Sequence, residues 1–226
     1  MSVKPKIMTV YGTRPEAIKV APVVSALQAD DRFDSVVVST GQHREMLEQV
    51  NKRFGITPDH DMALMKPGQT LNELVARAIQ GLDPIIEEEE PDVIISQGDT
   101  STAMVAALAG FHRGVKIVHL EAGLRTGNIF SPFPEEANRK IIGQIASLHL
   151  APTNESRENL RRENFRSKDI VVTGNTVIDA LLASSEWDVQ FDDSRLEELR
   201  NSNEKLVLVT TCLLYTSDAA DEEDSV

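Results

Sequence analysis

Residues 92–99 read DVIISQGD and residues 116–121 read KIVHLE, so two short apolar runs each end in a carboxylate. Short runs of Val and Ile separated by a helix-length segment are typical of buried parallel strands. An open parallel sheet binds its ligands beyond the carboxyl ends of its strands. The two acids, Asp99 and Glu121, are therefore expected to project into one crevice and to mark a candidate active site.

The same alternation of strand-like and helix-like segments continues on both sides of these runs. The pattern predicts strands at Lys6–Tyr11, Ser35–Thr40, Asp61–Met65, Asp92–Gln97, Lys116–Leu120, Leu148–Ala151 and Asp169–Thr173. It predicts helices at Pro15–Ala29, Arg44–Phe54, Leu71–Glu88, Ser101–His112, Pro134–Ser147, Asn154–Glu163 and Val177–Trp187. This rhythm indicates an α/β fold with a doubly wound, mostly parallel sheet.

The chain changes in character after Trp187. A charged stretch, Asp192–Glu204, is followed by a new apolar run, Leu206–Thr210, which indicates a domain boundary. We assign residues 1–187 to an N-terminal domain, 188–211 to a linker and the first strand of a truncated second domain, and 212–226 to a tail. The tail has no periodic apolar face and is predicted to be disordered.

Composition limits the classes of partner. The 226 residues include 36 acidic and 23 basic side chains, a formal net charge of −13, which opposes nucleic acid or an anionic membrane as the main partner. No apolar stretch approaches the roughly 18 residues of a membrane span, and residues 1–5 show no signal-peptide core. The single cysteine, Cys212, excludes an internal disulfide and a Cys-based metal site. We therefore expect a cytoplasmic protein without membrane partners.

The turn after the first predicted strand reads GTRPEAIK, residues 12–19, and opens a helix. Backbone N–H groups at a helix N-terminus favour anions, and Arg14 with Lys19 would hold a diphosphate. The alternative is helix capping with a surface pair between Arg14 and Glu16, and the segment alone does not decide between them. A dinucleotide cofactor is not indicated, because only Gly12 of the G-x-G-x-x-G fingerprint is present, and no P-loop sequence occurs.

The candidate acids also have structural interpretations. Asp99 is suited to cap the helix that begins near Ser101, and Glu121 to form an ion pair with Arg125. Acidic residues in the first turn of a helix complement its macrodipole, which would explain Glu135 and its neighbour Glu136. For Asp99 the capping role is favoured on this evidence alone, whereas the position of Glu121 at a strand end favours function.

Two histidines lie close to the predicted strands. His43 follows the second strand and faces the same rim, although a lone loop histidine is usually a solvated polar residue. His119 lies inside an apolar strand and is interpreted as a hydrogen-bonded core residue.

Six segments taken together, in their order along the chain, resemble one family, the non-hydrolysing UDP-N-acetylglucosamine 2-epimerases. They read GTRPE (12–16), GQHREML (41–47), QGDT (97–100), HLEAGLRTG (119–127), SPFPEEANR (131–139) and TGNTVIDA (173–180). The resemblance extends from about Lys6 to Thr210. It implies two Rossmann-like domains that face each other across a cleft, as in GT-B glycosyltransferases, of which this chain holds the first domain and the start of the second.

The resemblance ends abruptly near Thr211. Family members continue with a His-Arg-Arg-Glu run that contributes to substrate binding, whereas residues 212–215 here read CLLY. We interpret the ending as a truncated or frameshifted reading or a cloning-derived tail, and expect this chain to be inactive alone.

The resemblance also implies roles for individual residues. Asp99, Glu121 and Glu135 would be catalytic, and Arg14 and Lys19 would bind substrate together with Asp99 and Glu121. Gln42, His43 and Glu135 match a region that binds an allosteric UDP-GlcNAc in some bacterial members.

The implied reaction interconverts UDP-GlcNAc and UDP-ManNAc through loss of UDP to 2-acetamidoglucal and its re-addition. It needs neither cofactor nor metal, and it would supply ManNAc units for cell-surface polysaccharide in a homodimeric enzyme. The alternatives are a hydrolysing epimerase, a GT-B glycosyltransferase, or a fragment that only binds a nucleotide sugar.

Overall fold

The computed structural model describes residues 4–41, 44–66, 68–190, 192–202, 205 and 207. The chain divides between residues 185 and 186 into two compact units, of which the first contains the sheet and all the candidate site residues that the structure describes.

Strands and helices alternate through the first unit. The strands are β1 (Lys6–Tyr11), β2 (Asp34–Ser39), β3 (His60–Asp61), β4 (Val93–Gln97), β5 (Lys116–Leu120), β6 (Leu148–Ala151) and β7 (Ile170–Val172). The helices are α1 (Arg14–Ala29), α2 (Arg44–Phe54), α3 (Leu71–Glu89), α4 (Ser101–His112), α5 (Glu135–Ile145), α6 (Asn154–Arg162) and α7 (Thr176–Ser185). All seven strands and seven helices predicted in this unit are present, although β3 is shorter than expected.

The seven strands form one parallel sheet in the order β3-β2-β1-β4-β5-β6-β7. The order runs outward in both directions from β1 and β4, so the doubly wound α/β fold is confirmed. The pairing register of β4 and β5 places Gln97 opposite Leu120. The residues that follow these two, Gly98 and Glu121, therefore emerge side by side at one edge of the sheet.

Apolar side chains fill both faces of the sheet, as expected for parallel strands that carry helices on each side. One core cluster joins Met8, Val10 and Ile94 to helices α3, α4 and α5. The other joins Tyr11 and Val37 to α1 and α2. A smaller cluster lies between β6, β7 and α6. The carboxyl edge of the sheet is thus supported by packed core clusters on both faces.

Threonine side chains begin four of the helices. Thr13, Thr70, Thr100 and Thr153 each accept a hydrogen bond from the backbone N–H of the third residue after them. Thr is among the preferred N-caps, because its hydroxyl satisfies an N–H that has no partner within the helix. The start of these four helices is therefore fixed locally by the sequence.

The second unit contains one described helix, α8 (Ser194–Arg200), in the stretch that the sequence assigned to a linker. Asp193 caps it by accepting from the N–H of Arg195. The predicted strand Leu206–Thr210, apart from Val207, and the predicted tail 212–226 lie outside the described residues. Within the described ranges, no helix is both long and apolar enough to cross a bilayer.

Candidate active site

The candidate site lies where β1, β4, β5 and β7 end at the same edge of the sheet. Glu121 directly follows β5 and has a left-handed backbone, with φ of 66°. A Cβ placed on Gly98, which follows β4, would lie 3.9 Å from the Glu121 Oε2 atom. The turn that carries Asp99 therefore packs against the Glu121 carboxylate, as expected from the two strand ends.

Three donors from different elements hold the Glu121 carboxylate. Lys19 Nζ of α1 and Gln97 Nε2 of β4 each lie 2.6 Å from its Oε2 atom. Asn175 Nδ2, from the loop between β7 and α7, lies 3.0 Å from Oε1. The side chain of Glu121 is only 12% exposed. Its orientation is therefore fixed by contacts that span much of the sheet edge.

The proposed ion pair between Glu121 and Arg125 is absent from the described structure. Arg125 instead forms two parallel hydrogen bonds with Glu163, at 2.9 and 2.8 Å, and Lys140 adds a third at 2.8 Å. These bonds, led by that from Arg125, lower the pKa of Glu163 to about 2. The structural interpretation of Glu121 was thus wrong, because α6 supplies a better partner for Arg125.

Asp99 is held by α5. Its Oδ2 atom accepts from Nε and Nη2 of Arg139, at 2.9 and 2.6 Å, and its backbone carbonyl accepts from Asn138 Nδ2 at 2.8 Å. Asp99 does not cap α4, since Thr100 accepts the N–H of Ala103 at 3.1 Å. The favoured capping role for Asp99 was therefore wrong by one residue, and its side chain is left available for the site.

Glu136 is a buried acid that the sequence analysis underrated. Its side chain is fully buried and accepts from Arg139 Nη1 at 3.1 Å and from the N–H of Gly127 at 3.2 Å. A charge this deeply buried needs a paired cation. Arg139 therefore bridges two carboxylates, Glu136 and Asp99, and connects the loop before α5 to the site.

The turn between β1 and α1 is organised by a second buried acid, Glu16, whose residue is 3% exposed. Its Oε2 atom accepts the N–H groups of Gly12 and Thr13, both at 2.8 Å, and the Thr100 hydroxyl donates to its Oε1 atom. Burial raises the pKa of Glu16, and these hydrogen bonds lower it by a smaller amount.

The turn between β1 and α1 was interpreted either as a diphosphate site or as a helix cap with a surface pair, and the structure supports each interpretation only in part. The predicted capping is present, but Glu16 forms no surface pair with Arg14. The N–H groups of Gly12 and Thr13 already have a carboxylate acceptor, so they are not open to a ligand. Arg14 is exposed and has no hydrogen-bond or ion-pair partner among the described residues, whereas Lys19 lies on Glu121. Side chains, rather than these backbone amides, would have to hold an anion here.

The remaining predicted site residues are less constrained. Glu135 is the first residue of α5 and is partly exposed. Gln42 and His43 lie outside the described residues.

His119 is a core histidine, as predicted. It is 1% exposed, and its Nε2 atom lies 2.7 Å from the carbonyl oxygen of Gly98, which has φ of 76°. Burial lowers the pKa of His119 to about 4. The neutral ring therefore donates from Nε2 and holds the turn that leads into Asp99.

Sequence reasoning missed Gln97, Asn175, Arg139 and Glu16 as members of the site. Each belongs to a segment that was recognised as part of the family pattern, yet none had been given a role in the active site. Their spacing carries no local signal, because the partners of Glu121 come from positions 19, 97 and 175 and meet only in the folded sheet.

The comparisons with known proteins agree with this geometry. Residues 25–213 match the family model described as UDP-N-acetylglucosamine 2-epimerase. A UDP-N-acetylglucosamine 2-epimerase from Yersinia pestis is 50% identical over 91% of this chain and 56% of its own length. The chain therefore spans about half the length of the curated relatives it matches.

Solved structures give the same result. The crystal structure of UDP-GlcNAc 2-epimerase from Neisseria meningitidis bound to UDP-GlcNAc is 48% identical, with a TM-score of 0.78, over 80% of this chain and 49% of that one. The enzyme from Methanocaldococcus jannaschii in complex with UDP-GlcNAc and UDP is 29% identical, with a TM-score of 0.76, over 87% and 53%. Sequence and fold agree: the chain belongs to the UDP-N-acetylglucosamine 2-epimerase family.

Proposed function

We propose that the protein to which this chain contributes interconverts UDP-GlcNAc and UDP-ManNAc, and that the described sheet edge is one wall of its active site. The observation that carries the proposal is the convergence of Lys19, Gln97 and Asn175 on Glu121 beside the turn of Asp99. The solved relatives from Neisseria meningitidis and Methanocaldococcus jannaschii are bound to UDP-GlcNAc, which supports the substrate.

The reaction requires acidic side chains that contact the sugar. No carbonyl lies beside the C2–H bond of the sugar, so direct removal of that proton would be very slow. In an elimination the C1–O bond breaks, UDP leaves with the bonding electrons, and the C2 proton passes to a base, which gives 2-acetamidoglucal. In the reverse addition a proton is delivered to the opposite face of C2 and a UDP oxygen re-forms the bond at C1. Positioned carboxylates can exchange these protons and stabilise the transient cation.

The two acids are suited to different tasks. Both oxygens of Glu121 already accept hydrogen bonds, so we assign it to electrostatic stabilisation of the cationic transition state. Asp99 uses only Oδ2 toward Arg139, and its Oδ1 atom accepts no hydrogen bond from the described residues. Asp99 is therefore assigned to proton transfer at C2, and Glu135, which is less constrained, to the opposite face.

Cations beside these acids would hold the diphosphate. Arg14 is exposed and unpaired in the described structure, and an Arg guanidinium suits the forked geometry of phosphate oxygens. Lys19 would be shared between Glu121 and the leaving UDP, so loss of UDP would change the charge balance around Glu121. The rest of the nucleotide would be bound by the second half of the full-length protein.

The test uses the chain extended beyond residue 211 with the corresponding half of the Yersinia pestis relative. The extended protein is incubated with UDP-GlcNAc in D2O, and the products are followed by proton NMR. UDP-ManNAc with deuterium at C2 is the expected product. Release of free ManNAc would identify a hydrolysing epimerase, sugar transfer to an added acceptor would identify a glycosyltransferase, and absence of turnover in a folded protein would reject the proposal.

Several finer expectations stay predictions. They are supply of ManNAc units for cell-surface polysaccharide, a homodimer, a cytoplasmic location, the absence of nucleic-acid or membrane partners, and an allosteric role for Gln42, His43 and Glu135. Light scattering of the extended protein would test whether it is a homodimer. Activity at rising UDP-GlcNAc concentrations would test the allosteric role.

A further inference from the structure

We propose that Glu16 is a positioning residue, which fixes the turn carrying Asp99 through the hydroxyl of Thr100. The inference rests on the function proposed above and assigns a role to a buried acid that the reaction itself does not use.

Glu16 connects two turns that are far apart in sequence. Its Oε2 atom binds the N–H groups of Gly12 and Thr13 in the turn after β1, and its Oε1 atom accepts from Thr100, 84 residues later, in the turn after β4. The Thr100 hydroxyl has one proton, which it gives to Glu16, and its oxygen accepts the N–H of Ala103. Thr100 is therefore held from both sides, by its own helix and by α1.

Three consecutive residues of the Asp99 turn are each tied to a different element. The carbonyl of Gly98 is held by His119 of β5, the carbonyl of Asp99 by Asn138 of α5, and the hydroxyl of Thr100 by Glu16 of α1. The Glu16 contact is the only one of these three that ties the turn to the helix carrying Lys19. It thereby fixes the distance between the Asp99 turn and the Lys19–Glu121 pair.

A comparison within the chain separates this role from ordinary helix capping. Thr70 and Glu73 form the same capping box at the start of α3, where Glu73 accepts the N–H of Thr70 at 2.7 Å. Both of those residues are exposed, and their side-chain bonds stay within the box. Glu16 instead is buried and uses its second oxygen outside its own helix. Capping alone does not require that oxygen to be buried against α4.

The experiment measures kcat and KM for UDP-GlcNAc in the extended protein. Thr100→Val removes the hydroxyl while keeping the shape of the side chain, and we expect kcat to fall by about 10- to 100-fold, because small misplacements of catalytic groups have effects of this size. KM should change by less than about threefold, since neither Thr100 nor Glu16 is hydrogen-bonded to Arg14 or Lys19 in the described structure. Thr100→Ser, which keeps the hydroxyl, should restore most of kcat.

Thr70→Val is the matched control, because it removes an N-cap threonine outside the described site. It should lower stability as Thr100→Val does, with kcat unchanged. If Thr100→Val and Thr100→Ser have equal kcat, or if the loss appears in KM alone, the inference is wrong while the proposed function stands. An inactive unsubstituted protein would instead reject the proposed function.

A second measurement on the 226-residue chain does not depend on turnover. Unfolding equilibria are compared for Glu16→Gln, Thr100→Val and the double variant. Residues in direct contact couple, and we expect the equilibrium constant of the double variant to differ about tenfold from the product of the single effects. Strict additivity for Glu16 and Thr100 would overturn the link even if the extended protein is active.

Discussion

Acidification should destabilise this chain through His119, by an amount that follows from its burial. The pKa of this histidine is about 4 in the folded chain, against the ordinary value of 6.5. The unfolded chain therefore binds the proton more tightly, and stability that is fully present above 6.5 is lost as the pH falls toward 4. The difference corresponds to about 3 kcal/mol in the limit, and to roughly 2 kcal/mol between about pH 7 and pH 5.

Protonation is unfavourable for a structural reason. The Nε2 atom of His119 already donates to Gly98, so the added proton would go to Nδ1, which is buried and has no hydrogen-bond partner. Arg125 and Arg139 further disfavour a positive ring at this position. Protonation would therefore place a positive charge and an unsatisfied donor inside the core.

The assay is urea unfolding of the chain at about pH 7 and pH 5, for the unsubstituted protein and for His119→Asn. The loss of unfolding free energy on acidification should be smaller in the variant by roughly 2 kcal/mol. His149, which is also buried with a lowered pKa, remains in both proteins and cancels from the comparison. His112→Asn, at an exposed histidine, is the control and should leave the pH dependence unchanged. Equal losses in the unsubstituted protein and His119→Asn would refute the reasoning.

Three further predictions concern the site and its support. In the extended protein, Asp99→Asn should abolish deuterium incorporation at C2, and Glu121→Gln should lower kcat by about 100-fold or more. Both variants should still bind UDP, as measured by calorimetry. Turnover near that of the unsubstituted protein in either variant would contradict the assigned roles. Glu163→Gln should lower the free energy of unfolding by about 2 kcal/mol, because it leaves the buried Arg125 guanidinium with a neutral partner. Glu158→Gln, at a more exposed salt bridge within α6, should change it much less, and equal effects would show that the Arg125 pair is not special. The 226-residue chain alone should bind UDP-GlcNAc weakly and turn over negligibly, since it spans about half the length of its relatives; measurable UDP-ManNAc in the NMR assay would contradict this.

The fold was predictable because its signals are local. Short Val and Ile runs such as 93–95 and 117–118 favour buried strands, and threonines such as Thr70 and Thr153 cap the helices that follow them. Helix α8 was missed because five of its seven residues are polar. Its two leucines are too few to give a periodic apolar pattern. The positions of Asp99 and Glu121 at strand ends followed from the same local pattern.

The partners of those acids were not predictable in the same way. Arg125 was expected to pair with Glu121, which lies about one helical turn before it in the sequence, but the tertiary fold brings Glu163 closer. Glu136 was expected to act only on the helix dipole, yet it is fully buried and paired with Arg139. In the first case a contact between residues near in sequence was expected, and a contact between distant residues formed instead. In the second case the burial was not foreseen. Both features exist only after the helices pack on the sheet.

Three residues that depart from local rules lie together at the proposed active edge of the sheet, and their proximity is itself an argument for function. Glu121 has a left-handed backbone that L-residues adopt at a cost of about 1–2 kcal/mol, and Glu16 and Glu136 are acids buried below the surface. None of these features is needed to form a parallel sheet. A chain under selection for stability alone would replace a buried pair such as Glu136 and Arg139 by apolar side chains of similar volume. Their retention together, around two carboxylates and a lysine, is explained if the rigid placement of charge at this edge is what the domain provides to the reaction.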